Sequence, residues 1–335
     1  MPININGSKG IRQNTTEVTK IPVGTTAQRP ANPEAGMMRF NTDTAEPEWY
    51  EAVNGVWVAF KDSTAYQADF LVVAGGGGGG RNANTNNRSG GGGGAGGIIS
   101  SEVLLTPDTE YSIIVGSGGA GATSVNGSKG GDTTAFGFTV EGGGFGGGNN
   151  ASNVAQDGGS GGSGGGGSGG TTHAVREDDP TFSSGGSGTS SQGRSGGGGR
   201  VQSTGGSGGG GGGFSENGKT AGNIYNTDIF EPGVGSGFVE VRGGFGFVTS
   251  ISGINSEFSV GGNSWPATLS TGTPSNGAAN TGNGGQGARD FNAANGGSGV
   301  VIIRYSGPQR GTGGTVTSAD GFTIHTFTSS GTFTA

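Results

Sequence analysis

Uninterrupted runs of glycine limit how this chain can fold more than any other feature of its sequence. Glycine supplies 84 of the 335 residues, and the runs 75–80 and 208–213 contain no other residue. Glycine adds no side chain to a hydrophobic core, and it loses more conformational freedom on folding than any other residue. An ordered glycine run must therefore be held by backbone hydrogen bonds, because buried N–H and C=O groups are rarely left unpaired.

The rest of the composition excludes several classes of protein. Glycine follows no strict Gly-X-Y period, which excludes a collagen triple helix. The chain has no cysteine, so disulfide frameworks and zinc–thiolate centres are excluded as well. A net charge of −7 at pH 7 argues against a nucleic acid partner, whose phosphates attract a basic surface. No apolar run approaches the roughly 18 residues of a membrane span, so we predict no membrane insertion.

The first 66 residues contain few glycines and predict two short regions. Residues 1–20 are mostly polar and are typical either of an extended arm that becomes ordered on a partner or of a frayed terminus. Residues 21–66 predict a small β-module whose aromatic residues form its core. Its clearest element is a hairpin, in which 49–50 and 56–60 form the strands and Asn54-Gly55 forms a type I′ turn.

From residue 67 to residue 305, short apolar segments alternate with the glycine runs. Turn residues such as Pro107-Asp108 separate several of these segments, and each has the composition of a β-strand. The predicted strands are 70–74, 98–100, 103–105, 111–115, 134–140, 238–241, 245–248 and 300–305. Residues 306–335 predict a C-terminal β-strand pair. Helical periodicity is absent, and glycine disfavours helix by about 1 kcal/mol per residue, so we predict an all-β and irregular fold.

The glycine runs admit two interpretations, a flexible linker and a lattice of polyglycine II helices. A linker joins two domains once, whereas these runs recur many times between strands. Polyglycine II has three residues per turn and no internal hydrogen bonds, so its backbone groups must pair with neighbouring helices. Only residues without a Cβ allow helices to pack that closely. We favour the lattice, whose predicted structural residues are Gly75, Gly77, Gly80, Gly208 and Gly213.

Several parts of the chain resemble proteins of tailed bacteriophages. The short N-terminal module of phage fibre and appendage proteins resembles the segment 21–30, continued through 36–42 to Trp57. The glycine-rich domain of phage tail fibres and distal adhesins is similar to the segments 70–80, 113–116 and 299–305. Residues 320–334 resemble a strand pair that usually precedes this domain, although here it follows.

This resemblance implies a fold, a location and partners. It implies a sandwich of packed polyglycine II helices in a protein of the virion, on the tail or another external appendage. It also implies a homotrimer, held through the β-module 21–66, because so small a module buries little of its own surface. The arm 1–20 is expected to bind another virion protein, of the tail or an adaptor.

The sequence contains no recognisable catalytic constellation. GxGxxG-like strings occur many times, and none lies in a βαβ unit that could bind a dinucleotide. His173 and His325 are far apart in the sequence, and no acidic or cysteine residues complete a metal site. The acidic run 177–179 lacks the ligand spacing of a calcium loop, and no pair of carboxylates indicates a glycosidase. We therefore expect neither an enzyme nor a requirement for a cofactor or metal.

A fibre or adhesin would contact its receptor through the loops between the glycine helices, because the lattice itself offers no side chains. The loop residues whose guanidinium, amide or aromatic groups suit recognition are Arg81, Asn86, Arg88, Tyr225, Phe230 and Trp265. Phe230 and Trp265 fit a space-filling role in the lattice equally well.

Three functions are compatible with these patterns. The first is a bacteriophage tail fibre or adhesin that binds a host surface glycan or an outer-membrane protein. The second is a purely structural virion appendage on the neck, the capsid or the nozzle, with no receptor. A cellular glycine-rich matrix protein is the third, and the phage-like N-terminal segment disfavours it.

Overall fold

The computed structural model divides the chain into two compact units, Met1–Ser63 and Thr64–Ala335. It describes residues 21–60, 65–82, 88–150, 152, 154–170, 172–173, 182–201, 206–221, 240–266 and 272–335. The predicted arm 1–20 lies outside these residues. Within them, the helical structure that is assigned is one turn of 3₁₀ helix at Thr26–Gln28. The fold is all-β, as the sequence predicts.

Strands supply the rest of the regular structure. In the first unit they are Val23–Gly24, Met38–Asn41, Glu46–Glu51 and Val56–Ala59. The longer strands of the second unit are Tyr66–Val73, Ile98–Leu105, Glu110–Ile113, Val300–Ser306, Thr315–Ala319, Phe322–Phe327 and Gly331–Thr334. Its shorter strands are Arg81–Asn82, Thr133–Ala135, Phe138–Val140, Val154–Ala155, Thr172–His173, Phe182–Ser183, Gly199–Arg200, Phe247–Thr249, Ser256–Phe258 and Ala288–Arg289.

The first unit is a four-stranded sheet in which the strands lie side by side in chain order. Val23–Gly24 runs parallel to Met38–Asn41, and the two following pairs are antiparallel. The predicted hairpin is present, but its turn is not type I′. Four residues, 52–55, connect the strands, and of these Gly55 alone has a positive φ, at +67°. A type I′ turn requires a positive φ at both of its central residues.

The most deeply buried side chains of the first unit are polar, which differs from the predicted aromatic core. Arg39, Asn41 and Glu48 are 4%, 0% and 2% exposed. The Glu48 carboxylate accepts a hydrogen bond from Arg29 Nη2 at 2.6 Å and one from Asn41 Nδ2 at 3.2 Å, and Arg39 Nε lies 3.4 Å away. The hydrogen bond from Arg29 lowers the pKa of Glu48, so the buried carboxylate remains charged and paired.

The second unit is organised around a five-stranded antiparallel sheet. Its strand order is Thr315–Ala319, Phe322–Phe327, Val300–Ser306, Tyr66–Val73 and Ile98–Leu105. Both faces of the sheet are covered, because Phe70 and Val72 pack in one hydrophobic cluster whereas Leu71 and Val73 pack in another. Burial on both faces explains why residues 70–74 form an uninterrupted apolar run instead of alternating with polar residues.

Some predicted strands differ in form from the observed ones. The segment 134–140 is a hairpin, in which Thr133–Ala135 pairs with Phe138–Val140. Phe136 and Gly137 form its turn with φ of +53° and +80°, as type I′ geometry requires. A tight hairpin preserves the alternation of apolar residues that indicates a single strand, so the sequence pattern did not distinguish the two.

Other predicted strands keep their place with changed boundaries. The segments 98–100 and 103–105 belong to one continuous strand, Ile98–Leu105. The segment 245–248 contributes to Phe247–Thr249, which pairs with Ser256–Phe258. Of the predicted strand 238–241, residues 238–239 lie outside the described residues, and residues 240–241 are not in a strand.

The C-terminal residues 306–335 contribute three strands to the second unit. Thr315–Ala319 and Phe322–Phe327 form a hairpin, and Phe322–Phe327 also pairs with Val300–Ser306 in the main sheet. Gly331–Thr334 pairs instead with Glu110–Ile113. The tail thereby completes the hydrophobic cluster on one face of the sheet, to which it adds Phe327, Phe333 and Ala335.

His325 lies in this tail as a buried, neutral imidazole. Its ring is fully buried, and Nδ1 lies 2.8 Å from the carbonyl oxygen of Gly313. A carbonyl only accepts, so Nδ1 carries the proton and Nε2 accepts a hydrogen bond from the Tyr305 hydroxyl at 2.9 Å. The Tyr305 oxygen in turn accepts hydrogen bonds from the N–H groups of Arg310 and Gly311. Burial lowers the pKa of His325, because it disfavours the charged form.

We expect acid to destabilise the second unit through His325. The unfolded chain binds a proton near the ordinary histidine pKa of about 6.5, whereas the folded chain binds it only at lower pH. The free energy of unfolding therefore falls as the pH decreases from about 7 towards 5, by at most about 1.4 kcal/mol per pH unit. His325→Gln removes this titration. Urea unfolding should show a larger loss on acidification for the natural protein than for H325Q, and equal losses would contradict the prediction.

Candidate functional site

The backbone hydrogen bonds of the run 75–80 repeat at every third residue. N–H groups three positions apart donate to the same neighbouring segment, with N···O distances of 2.8 to 3.0 Å. The three accepting segments are 125–131, 294–297 and 91–94. The C=O groups of the run accept with the same period from 119–122, 143–146 and 285–288. A three-residue period without bonds inside the run is the hydrogen-bonding pattern of polyglycine II, and this helix has neighbours on six sides.

Three further glycine-rich runs are surrounded in the same way. The runs 89–97, 163–169 and 207–213 each exchange backbone hydrogen bonds with six neighbouring segments. The run 89–97, for example, donates to 282–288, 141–147 and 206–212, and it accepts from 74–80, 163–169 and Gly262. These central helices share neighbours, so the hydrogen bonds extend through the second unit as a lattice.

The five glycines that the sequence nominates as structural residues are all buried within this lattice. A Cβ built on any of them would lie 2.0 to 2.4 Å from a backbone carbonyl oxygen of a neighbouring helix. For Gly77 that atom is the carbonyl oxygen of Gly144, at 2.1 Å. Backbone atoms held in a lattice cannot rotate away as a side chain can, so these five positions accept only glycine.

In the outer helices, burial alternates with a period of three residues, so that only one side of each helix is enclosed. In the segment 116–123, Gly116, Gly119 and Ala122 are buried, whereas Ser117 and Ala120 are exposed. Three residues per turn place every third position on the same side of the helix. Side chains are therefore admitted on the solvent side of an outer helix, whereas the central helices admit only small residues beside glycine, such as the fully buried Ala95, Ser163 and Ser168.

We expect Gly77→Ala to lower the free energy of unfolding by about 3 kcal/mol or more. Enlarging a side chain in a packed core costs about 1–3 kcal/mol, and here the new methyl group meets backbone. Gly331→Ala is the matched control, because its Cβ would lie 3.8 Å from the Phe327 ring; it should change stability by less than about 0.5 kcal/mol. Urea unfolding measures both, and equal stability of the two variants would show that residue 77 does not lie inside a lattice.

Several connections between helices lie at one end of the lattice, which we call the loop end, and others, such as 214–217, lie at the opposite end. Backbone bridges at the loop end join residues at which helices begin or finish, namely Asn82 with Asn149, Arg88 with Gly206, Gly170 with Val201, and Arg81 with Ala288. At the opposite end, the sheet end, Tyr66–Val73 leads directly into the run 75–80, and Val300–Ser306 follows the segment 293–299. Segments 83–87, 202–205, 222–239 and 267–271 lie outside the described residues, and the residues that flank them belong to the loop end.

The structure places half of the predicted receptor contacts, all at the loop end. Arg81 is half-buried, and its Nη1 donates to the carbonyl oxygen of Thr123. Arg88 is 3% exposed, and burial lowers its pKa. Trp265 is 6% exposed. Asn86, Tyr225 and Phe230 lie outside the described residues.

Arg88 and Trp265 therefore support the loop end from within instead of presenting their side chains to solvent. The Trp265 ring packs edge-on against Phe291, with 6.2 Å between ring centroids, which matches the space-filling alternative. Sequence reasoning did not select Phe291 or its neighbour Arg289, which is 7% exposed. The sequence signal for them is a short insert without glycine, 288–295, between two glycine-rich segments.

A lattice of polyglycine II helices joined to an antiparallel sheet defines a glycine-rich structural domain. Residues 52–306 match the model of the family described as Glycine-rich domain, and the chain belongs to that family. No curated protein matches the chain. In the part of the chain that the structure describes, no helix is both long and apolar enough to span a membrane.

Proposed function

We propose that this protein is a fibre protein of a bacteriophage virion, a tail fibre or adhesin that binds the host surface through its loop end. One observation carries the proposal, namely that a group of connections lies at the end of a rigid lattice opposite the sheet end, where the chain enters at Tyr66–Val73. Binding residues are commonly found on loops that a rigid scaffold positions. The phage-like sequence segments supply the virion context, and the proposed role is binding without catalysis.

Attachment and assembly are assigned to the first unit. Met38, Val56 and Val58 are 48%, 47% and 37% exposed, and the alternation of the strands places Met38 and Val58 on the face opposite the buried Arg39 and Glu48. A second and third copy would cover this apolar face, and closed cyclic symmetry is the usual way to do so. The arm 1–20 would then bind another virion protein.

A structural appendage without a receptor is the second candidate. It is favoured by the burial of Arg88 and Trp265, because neither can contact a receptor without rearrangement. Amide groups near the loop end are also engaged within the chain, since Asn263 Nδ2 and Gln286 Nε2 both donate to Glu240 Oε1 at 2.8 Å. Under this candidate the loop end only closes the lattice.

Binding to host cells distinguishes the two candidates. Purified protein should bind the host saturably and reduce infection by the phage, and replacing residues 222–239 with a short Gly-Ser linker should abolish both effects. The control carries Val248→Ser and Ile254→Ser, which remove side chains that are 63% and 71% exposed on a sheet-end hairpin, and it should bind normally. Thermal unfolding verifies that both variants are folded. Absence of saturable binding by the natural protein would favour the structural appendage.

The proposed trimer makes a separate prediction. Sedimentation equilibrium of the full chain should give a trimer, and Met38→Asp should raise the concentration of half-dissociation at least about tenfold, which for a trimer is a loss of about 2.8 kcal/mol per trimer. A charge buried in an apolar interface is strongly unfavourable. Val53→Asp is the matched control, because Val53 is 89% exposed at the hairpin tip and lies away from the apolar face. A monomeric natural protein would contradict the trimer.

A further inference from the structure

Asn-Gly pairs in this chain occupy two different kinds of environment. One pair, Asn54-Gly55, lies at the hairpin tip of the first unit. Five pairs lie in the lattice and begin at Asn126, Asn217, Asn276, Asn283 and Asn295. Asn6-Gly7 lies outside the described residues. Such pairs are chemically reactive, because glycine has no side chain to hinder attack by its own backbone nitrogen on the preceding asparagine.

We propose that Asn54 is a site of spontaneous deamidation and that the lattice holds its own Asn-Gly pairs against the same reaction. In this reaction the backbone nitrogen of the glycine loses its proton and attacks Cγ of the asparagine. A C–N bond forms and ammonia leaves, which gives a five-membered succinimide. Water then opens the ring to aspartate or to isoaspartate, so water is the only co-reactant.

The lattice restrains both reacting groups of each pair. Asn217 Oδ1 accepts from Ser195 N at 3.2 Å, while Gly218 N donates to Ser195 O at 2.9 Å. Asn283 and Gly284 bond in the same way to Val260, with both distances 2.9 Å. The nucleophile and the side-chain carbonyl are thus fixed to one residue of a neighbouring helix.

The same paired arrangement holds the remaining lattice pairs. Asn276 Oδ1 accepts from Asn295 N at 2.9 Å, and Gly277 N donates to Asn295 O at 2.8 Å. Asn126 Oδ1 accepts from Gly148 N, and Gly127 N donates to the carbonyl of Gly146. Asn295 Oδ1 accepts from Gly121 N, and Gly296 N donates to the carbonyl of Gly119. Attack on Cγ therefore requires that two hydrogen bonds open first.

Asn54 lacks this restraint on its carbonyl group. It is exposed, it follows the 89%-exposed Val53, and its Nδ2 donates to Glu51 Oε2 at 2.8 Å. That bond holds the nitrogen that leaves, not the carbonyl oxygen. After deamidation, a carboxylate at position 54 would face the Glu51 carboxylate in place of the amide donor. The reaction therefore replaces an attraction with a repulsion and adds one negative charge at the hairpin tip.

Peptide mapping by mass spectrometry of the aged full-length protein tests this proposal. During incubation in mildly alkaline buffer, the peptide that contains Asn54 should convert to aspartate and isoaspartate at least about tenfold faster than the five lattice peptides, since two hydrogen bonds of about 1 kcal/mol each protect the latter. In denaturing urea all six should convert at similar rates. Asn54→Gln should abolish the acidic species on ion exchange that peptide mapping assigns to residue 54.

Two results would overturn the proposal. Conversion of the lattice pairs in the folded protein as fast as Asn54 would show that the paired hydrogen bonds do not protect them. Retention of the Asn54 amide in the folded protein, with rapid loss of it in urea, would show that the hairpin tip itself protects this residue.

Discussion

The hydrogen bond between the backbones of neighbouring polyglycine II helices is the interaction on which the second unit depends. Each residue has one donor and one acceptor, and a three-residue period directs successive pairs to different neighbours. A β-sheet spreads its hydrogen bonds in a plane, whereas these helices bond on all sides, as the six neighbours of the run 75–80 demonstrate. This closeness leaves no space for a Cβ atom at the glycine positions of the central helices, so the high glycine content follows from the hydrogen bonding.

The sheet provides the register from which the lattice begins. Val73 lies opposite Ile98 in the pair of strands that precedes the glycine runs. Beyond it, the N–H groups of Ala74, Gly77 and Gly80 donate to the carbonyls of Gly97, Gly94 and Gly91 in turn, so the antiparallel ladder continues with a bond at every third residue. Apolar side chains on both faces of the strands contribute the hydrophobic stabilisation that glycine cannot, and they offset part of the entropy lost in ordering the runs.

Local patterns in the sequence predicted the parts of this structure that local chemistry determines. Uninterrupted glycine indicated the interior helices, and the apolar run 70–74 indicated a central strand, because both signals lie within a few residues. The failures concern partners that are remote in sequence or turns that preserve a pattern. Arg88 and Trp265 looked like loop residues, yet neighbouring segments bury them. The buried charge of Glu48 depends on Arg29, nineteen residues earlier. No periodic pattern in the sequence predicts an ion pair between such distant residues.

The lattice separates the residues that hold the fold from those free to change. An interior glycine cannot be replaced, since a Cβ at Gly80 would lie 2.0 Å from the carbonyl oxygen of Gly147. A connection at the loop end needs only to join two helix ends that the lattice already fixes, and lengthening such a loop costs little, because closure entropy grows slowly with length. Side-chain chemistry can therefore vary at the loop end and on the outer helices while the backbone lattice stays constant. This division allows one rigid scaffold to carry different side-chain surfaces.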